Sequence, residues 1–205
     1  TANTRQYEGI GAYIDKGYVP ADVSGTSVSN TLEYAYDDWC IAQLAKKLGK
    51  EDIYTTFSKR AESWKSLYDS AIGFMRPKNS AGKFQEKFDV LDTHGQGFIE
   101  GNSWNYSLYV PHQPTEMMAL MGGKKRLESY LDSLFTMELP DKYFEHTEDI
   151  TRDGIIGNYV HGNEPSHHVA YLYNITKSPW KTQARVRQII RNQYHNGHAG
   201  LGGNA

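Results

Sequence analysis

The 205-residue chain is long enough for a substantial hydrophobic core, and its length favours one domain over two. A formal charge of −2, with no long basic or acidic run, argues against nucleic acid or an anionic membrane as the main partner. The single cysteine, Cys40, excludes an internal disulfide, and no apolar run reaches the length of a membrane span or signal-peptide core.

Residues 1–29 read as extended backbone and turns around Gly17, Pro20 and Gly25. A helix then starts, with Asn30 as its cap and Glu33 reaching back to the free amides. Its apolar positions are Leu32, Tyr36, Cys40, Leu44 and Leu48, and Gly49 stops it. A second helix from about Glu51 to Asp69 carries Ile53, Phe57, Ala61, Trp64 and Tyr68, which makes the pair an antiparallel hairpin. Residues 73–98 read as loop. A short helix is expected at Pro114–Met121, a longer one at Lys124–Glu138 with Leu127, Leu131, Leu134 and Phe135, and another beginning at Pro165. The last helix starts at Trp180 and carries Ala184, Arg187, Ile190 and Tyr194. Strand alternation is weak throughout, so the expected fold class is all-α, with helical hairpins separated by long loops of the kind that usually serve function.

Three stretches carry candidate chemistry. In G-F-I-E-G-N-S-W-N-Y-S-L-Y-V-P-H, residues 97–112, Glu100 stands among glycines and amides beside Phe98, Trp104, Tyr106 and Tyr109. Rings stack on the apolar face of a pyranose, amides such as Asn102 and Asn105 bond its hydroxyls, and partial desolvation makes a carboxyl group a proton donor. The bland reading is an aromatic core segment with one exposed acid. In T-L-E-Y-A-Y-D-D-W, residues 31–39, Asp37 and Asp38 are neighbours and point about 100° apart on a helix. They cannot both face one site, and a role in substrate binding competes with a solvated or ion-paired one.

The third stretch, H-G-N-E-P-S-H-H at 161–168, gathers His161, His167 and His168. Its Glu164-x-x-His167 spacing occurs once, where a di-metal bundle needs it twice, and H-E-x-x-H is absent, which weakens a zinc reading. Oxygen donors on Asn163 and Glu164 suit a hard ion such as calcium better. Hydrogen-bonded histidines at a helix start are the plain alternative. No phosphate-cradling loop or G-x-S-x-G elbow occurs.

Five segments in this order, S-N-T-L-E-Y-A-Y-D-D-W-C-I-A-Q-L-A-K, G-F-M-R-P-K, E-G-N-S-W-N-Y-S-L-Y-V-P-H, G-N-E-P-S-H-H-V-A-Y-L-Y-N and P-W-K-T-Q, resemble glycoside hydrolase family 92. This is the family of calcium-dependent exo-acting α-mannosidases, many of them α-1,2-specific enzymes of gut Bacteroidetes. The resemblance spans nearly the whole chain. It implies part of an (α/α)6-barrel catalytic domain over residues 1–205, the family's N-terminal β-sandwich and the rest of the barrel lying elsewhere. It implies inverting hydrolysis of mannosides such as N-glycan mannose, with Glu100 as general acid. It further implies Ca²⁺ held beside Asn163 and Glu164, gripping the mannose 2- and 3-hydroxyls. Trp104, Asn102, Asp37, Asp38 and His167 are the candidate substrate contacts. A periplasmic or extracellular location follows from the same likeness.

Two departures from the family pattern are Asn105, where Gln is usual, and Gln113, where Asp is common. The family's base carboxylates follow a G-L-x-G-N segment. Here Gly200–Asn204 match it and Ala205 follows, so the base is expected outside these residues. The chain therefore reads as a piece of a larger enzyme. The alternative for these residues alone is a carbohydrate- or calcium-binding module without turnover. Helix faces left uncovered are expected to cause self-association, or else to close into a small bundle.

Overall fold

The computed structural model describes residues 7–144, 152, 154–198 and 200. Most regular structure is helical, and the chain divides into two compact units: Thr1–Val90 with Gly95–Ile99, and Leu91–His94 with Glu100–Ala205. Among the described residues no helix is long and apolar enough to cross a membrane.

In the first unit, α1 (Ile10–Lys16) occupies a stretch expected to be irregular and ends at Gly17, whose left-handed φ of 78° lets its amide return to Tyr13 O. Helix α2 (Ser27–Lys47) begins three residues before the expected cap. Asn30 lies buried inside it, donating from Nδ2 to Glu8 O, so it is no cap. The free amides of Val28 and Ser29 instead donate to the carbonyl of Gly97, at 2.8 and 3.2 Å. That long-range bond also fixes the segment leading to Glu100.

The turn Leu48–Lys50 connects α2 to α3 (Glu51–Arg60), and the two helices pack on each other as the expected hairpin. The inward stripe differs, however. Val28, Leu32, Ala35, Asp38, Ala42 and Ala45 are buried, whereas Leu44 is 59% and Leu48 63% exposed. A strict four-residue repeat advances about 40° per step around a helix of 3.6 residues per turn, so its later members leave the core face. Beyond Arg60 the second helix gives way to a 3-10 turn (Ser63–Leu67) that buries Trp64 and Leu67. Then β1 (Tyr68–Asp69) pairs antiparallel with β2 (Phe74–Met75). Asp69 accepts from Arg76 Nη1 at 2.8 Å and from Ala71 N, and this ribbon ends the helix before Asp69.

In the second unit, α4 (Ser103–Tyr106) precedes α5 (Pro114–Leu120), and Gly122-Gly123 separates that helix from α6 (Lys124–Thr136). Leu127, Tyr130, Leu131, Leu134 and Phe135 of α6 form the core face. A small ribbon follows, β3 (Ile155–Ile156) against β4 (Tyr159–Val160), closed by Gly157 and Asn158. Gly157 has φ +67°, and a Cβ there would stand 2.5 Å from Leu134 O, so only glycine fits this close approach.

The helix expected from Pro165 is two 3-10 turns, Glu164–Ser166 and Val169–Asn174, before α7 (Pro179–Gln193). On α7 the buried residues are Thr182, Ile189 and Gln193, whereas Ala184 and Arg187 of the expected stripe are exposed, and Ile190 and Tyr194 edge a cavity. Lys181 ties α7 to α6 through Glu128 (2.7 Å) and Asp132 (2.6 Å).

Candidate active site

The acid loop is built by hydrogen bonds among amides. Asn102 caps α4: its Oδ1 accepts from Trp104 N at 3.1 Å, and Asn105 Oδ1 accepts from Asn102 N at 3.0 Å, closing a capping box. Gly101 takes φ +62°, and a Cβ on it would lie 2.8 Å from Asn105 Oδ1. This tight turn sets Glu100, half-buried, where Tyr106 donates its hydroxyl to Oε1 at 3.0 Å. Tyr106 is itself buried and packs on Tyr109, whose ring meets His168 edge-on at 6.1 Å.

Trp104 is half-buried, its ring 4.4 Å from that of Tyr130, while the Tyr130 hydroxyl donates to Trp104 O. One side of the indole is thus occupied by protein. Asn102 was expected to read sugar hydroxyls, yet it is fully buried, and its amide is spent on Trp104 N, Leu91 O and Asn158. Its observed task is to shape the turn. Asn105 is likewise buried and donates to Asn158 O at 2.6 Å.

The 161–168 stretch meets the Glu100 stretch within the second unit. The 3-10 turn Glu164–Ser166 packs against α4, and His168 Nε2 donates to Leu108 O at 2.8 Å. Burial lowers the pKa of His168, opposed by its backbone hydrogen bonds. His167 is exposed and donates from Nε2 to His161 O at 3.0 Å. His161 is bonded on both ring nitrogens, Nδ1 with Tyr159 Oη (2.9 Å) and Nε2 with Tyr194 Oη (2.7 Å). Burial first, and then the neighbouring His167, lower its pKa too. His161 and His167 line a cavity of about 360 Å³ together with Tyr159, Tyr171, Ile189 and Tyr194. Such rings and imidazoles suit a sugar. His161, Tyr159 and Tyr194 carry a polar relay that spacing alone did not reveal, since Tyr194 comes from the end of α7, 33 residues beyond His161.

Asn163 is buried and Glu164 exposed, and they supply amide and carboxylate oxygens. That donor chemistry fits a hard cation, although calcium takes about 6–8 oxygens and these two residues are a part of such a set. The three histidines do not converge as zinc ligands. Among the described residues no three His, Cys, Asp or Glu side chains gather as a metal site.

In the first unit the two aspartates separate as helical geometry requires. Asp37 is exposed, with its pKa raised by partial desolvation and then by Asp38. Asp38 is buried and accepts from Arg60 Nε (2.8 Å), Arg60 Nη2 (2.5 Å) and the Tyr13 hydroxyl (2.8 Å). Both its oxygens serve this network, a structural tie rather than an open hydroxyl-binding group. The G-L-G-G-N run lies, from Leu201 onward, outside the described residues.

The family model for the glycosyl hydrolase family 92 catalytic domain matches residues 1–205. The chain belongs to glycosyl hydrolase family 92. Among family members of known structure, an alpha-mannosidase from Bacteroides thetaiotaomicron is 46% identical over 97% of this chain, with a TM-score of 0.86. The same enzyme has been captured in complex with mannoimidazole, and that structure superimposes with a TM-score of 0.89. A family 92 inverting mannosidase from Bacteroides thetaiotaomicron is 33% identical over 96% of this chain, with a TM-score of 0.82. An uncharacterized secreted glycosidase from Arthroderma benhamiae is 26% identical over 96% of the chain. The chain spans about a quarter of the length of these relatives, 26% of the first structure and 27% of the fungal protein.

Proposed function

We propose that these residues form part of the catalytic domain of an inverting exo-α-mannosidase that acts on α-1,2-linked mannose such as that of N-glycans. The observation that carries the reading is the Glu100 turn, with its carboxylate on Tyr106 and with G-N-E-P-S-H-H packed against the following helix. The mannoimidazole complex of a relative supports mannose as the sugar. A helical architecture with family 92 neighbours supports the (α/α)6 barrel.

In this reading Glu100 is the general acid. Tyr106 holds Oε1 as an acceptor, so the transferable proton sits on Oε2 and passes to the departing glycosidic oxygen as the bond breaks. A second carboxylate about 6.5–9.5 Å away would activate water on the opposite face of the ring. Trp104 and His167 meet the sugar by stacking and hydrogen bonding, and Asp37 is the first unit's exposed hydroxyl-binding candidate. Asp38 and Asn102 act behind the surface, holding their helices. Asn163 and Glu164 would contribute oxygens to Ca²⁺, which when bound supplies charge to hold the mannose 2- and 3-hydroxyls. The secreted fungal relative supports an extracellular or periplasmic location.

A second reading applies to the 205 residues alone: a carbohydrate- or calcium-binding module without turnover. The cavity at His161 and His167 favours it, because no Asp or Glu is among its lining residues. Calorimetry with mannobiose and calcium, beside a hydrolysis assay on the same sample, separates the two. Heat of binding without product supports the module, and product formation by these residues alone excludes it.

A further inference from the structure

We propose that Asn158 is the residue that positions the proton donor, acting on Glu100 through Asn102 and Asn105. The inference rests on the assignment of Glu100 as general acid. Asn158 lies in the tip of the β3–β4 ribbon, 53 and 56 residues away in sequence from the two amides it binds. Its Oδ1 accepts from Asn102 Nδ2 at 3.1 Å, its Nδ2 donates to Asn102 Oδ1 at 3.3 Å, and its carbonyl accepts from Asn105 Nδ2 at 2.6 Å.

This arrangement completes Asn102. A primary amide can donate twice and accept twice. Asn102 donates to Leu91 O and Asn158 Oδ1, and accepts from Trp104 N and Asn158 Nδ2. Both Asn102 and Asn158 are 0% exposed, so no water substitutes for a missing partner. Asn105 is committed in the same way, accepting from Asn102 N with Oδ1 and donating to Asn158 O with Nδ2.

The tip that carries Asn158 is itself anchored. Asn158 N donates to Leu134 O at 2.7 Å, and Gly157 rests against the same end of α6 so closely that a Cβ is excluded. Rigidity therefore runs from α6 through the ribbon tip to the two amides that shape the Gly101–Asn102 turn. Glu100 is the next residue back along the chain, and Tyr106, its hydrogen-bond partner, closes the helix that Asn102 caps. Asn158 is thus a positioning residue: it touches neither substrate nor the reacting carboxyl group, and it acts through the turn.

A purely architectural role and a positioning role predict different kinetics. A displaced general acid slows only those substrates whose leaving group must be protonated, whereas lost folding lowers all rates together. The test uses the full-length protein with Asn158→Ala, the isosteric Asn158→Asp and Glu100→Gln. Each is assayed on mannobiose and on α-mannosyl fluoride, whose leaving group needs no proton.

For Asn158→Ala the expected result is a fall of about 10- to 100-fold in kcat on mannobiose, the cost of an ångström-scale misplacement, with KM nearly unchanged. On the fluoride, kcat should fall less than about threefold, the signature of a defect confined to proton delivery. Asn158→Asp should show the same selectivity, because it replaces a donor to Asn102 Oδ1 by an acceptor. The ratio of the two rates does not depend on the amount of folded enzyme. Equal falls on both substrates, no fall, or failure of both variants to fold would each overturn the proposal. If Glu100→Gln is itself unselective, the acid assignment fails. If Glu100→Gln is selective and the Asn158 variants are not, only the role of Asn158 fails.

Discussion

Tyr106 donates its hydroxyl to Oε1 of Glu100 at 3.0 Å from a ring that is 2% exposed, so a buried phenol orients the carboxyl group at the centre of the acid loop. The bond fixes the direction of the carboxyl group, and an ångström-scale misplacement of a catalytic group costs up to about 100-fold in rate. Tyr106→Phe removes the bond and keeps the ring. Its kcat on mannobiose should fall about 10- to 100-fold, read by steady-state kinetics in the full-length protein. A rate within twofold of the parent would show that the hydroxyl does not orient the acid.

Gly101→Ala tests the turn from the other side. The substitution places a Cβ 2.8 Å from Asn105 Oδ1 and puts a non-glycine residue at φ +62°. Strain of about 1–2 kcal/mol for the left-handed backbone, together with about 1 kcal/mol for a weakened cap, should lower the melting temperature. The mannobiose rate should drop as well. Calorimetric melting of the variant checks the first outcome and the disaccharide assay the second.

Asp38 and Arg60 form a buried pair, with side-chain exposures of 4% and 24%. Truncating one partner leaves the other charge uncompensated, at a cost of about 3–5 kcal/mol. Arg60→Ala should therefore lower stability strongly while changing mannobiose and mannosyl fluoride turnover per folded molecule to the same extent. Denaturant unfolding, paired with active-site titration, distinguishes this from a direct role in binding.

Acid should destabilise the second unit through His161 and His168. Burial lowers both pKa values below the ordinary histidine value of 6.5, because the neutral ring is the one the fold accommodates. For groups with depressed folded pKa values, the stabilising contribution is complete above about 6.5 and is lost as pH falls through the lowered values. Melting temperature should consequently decline from pH 7 towards pH 5. Replacing His161 by Gln should flatten part of that decline, as followed by scanning fluorimetry across the range.

Much of the helical framework was legible in the residues. The α5–α6 pair and the start of α7 fall near their expected places because proline, paired glycines and leucine spacing act locally. Faces were harder to read. On α2 the spacing of four carried Leu44 and Leu48 off the core, and at the end of α7 Tyr194 serves His161 and, with Ile190, a cavity.

The candidate site shows the same division. Glu100 and the 161–168 stretch stood out by residue type, and the structure packs the Glu164–Ser166 turn against the helix that follows Glu100. Asn158 is not legible from its neighbours, since its bonds go to residues more than fifty positions earlier. The G-N pair at 157–158, a tight-turn signal between apolar neighbours, was the one local sign of it.

In the proposed mechanism Glu100 is the proton donor for glycoside cleavage, and turnover of Glu100→Gln in the full-length protein on mannobiose beside α-mannosyl fluoride tests this role. A loss of at least about 100-fold on mannobiose, with the fluoride largely spared and sugar binding intact, is the predicted result. Mannobiose hydrolysis at the parental rate would contradict the assignment.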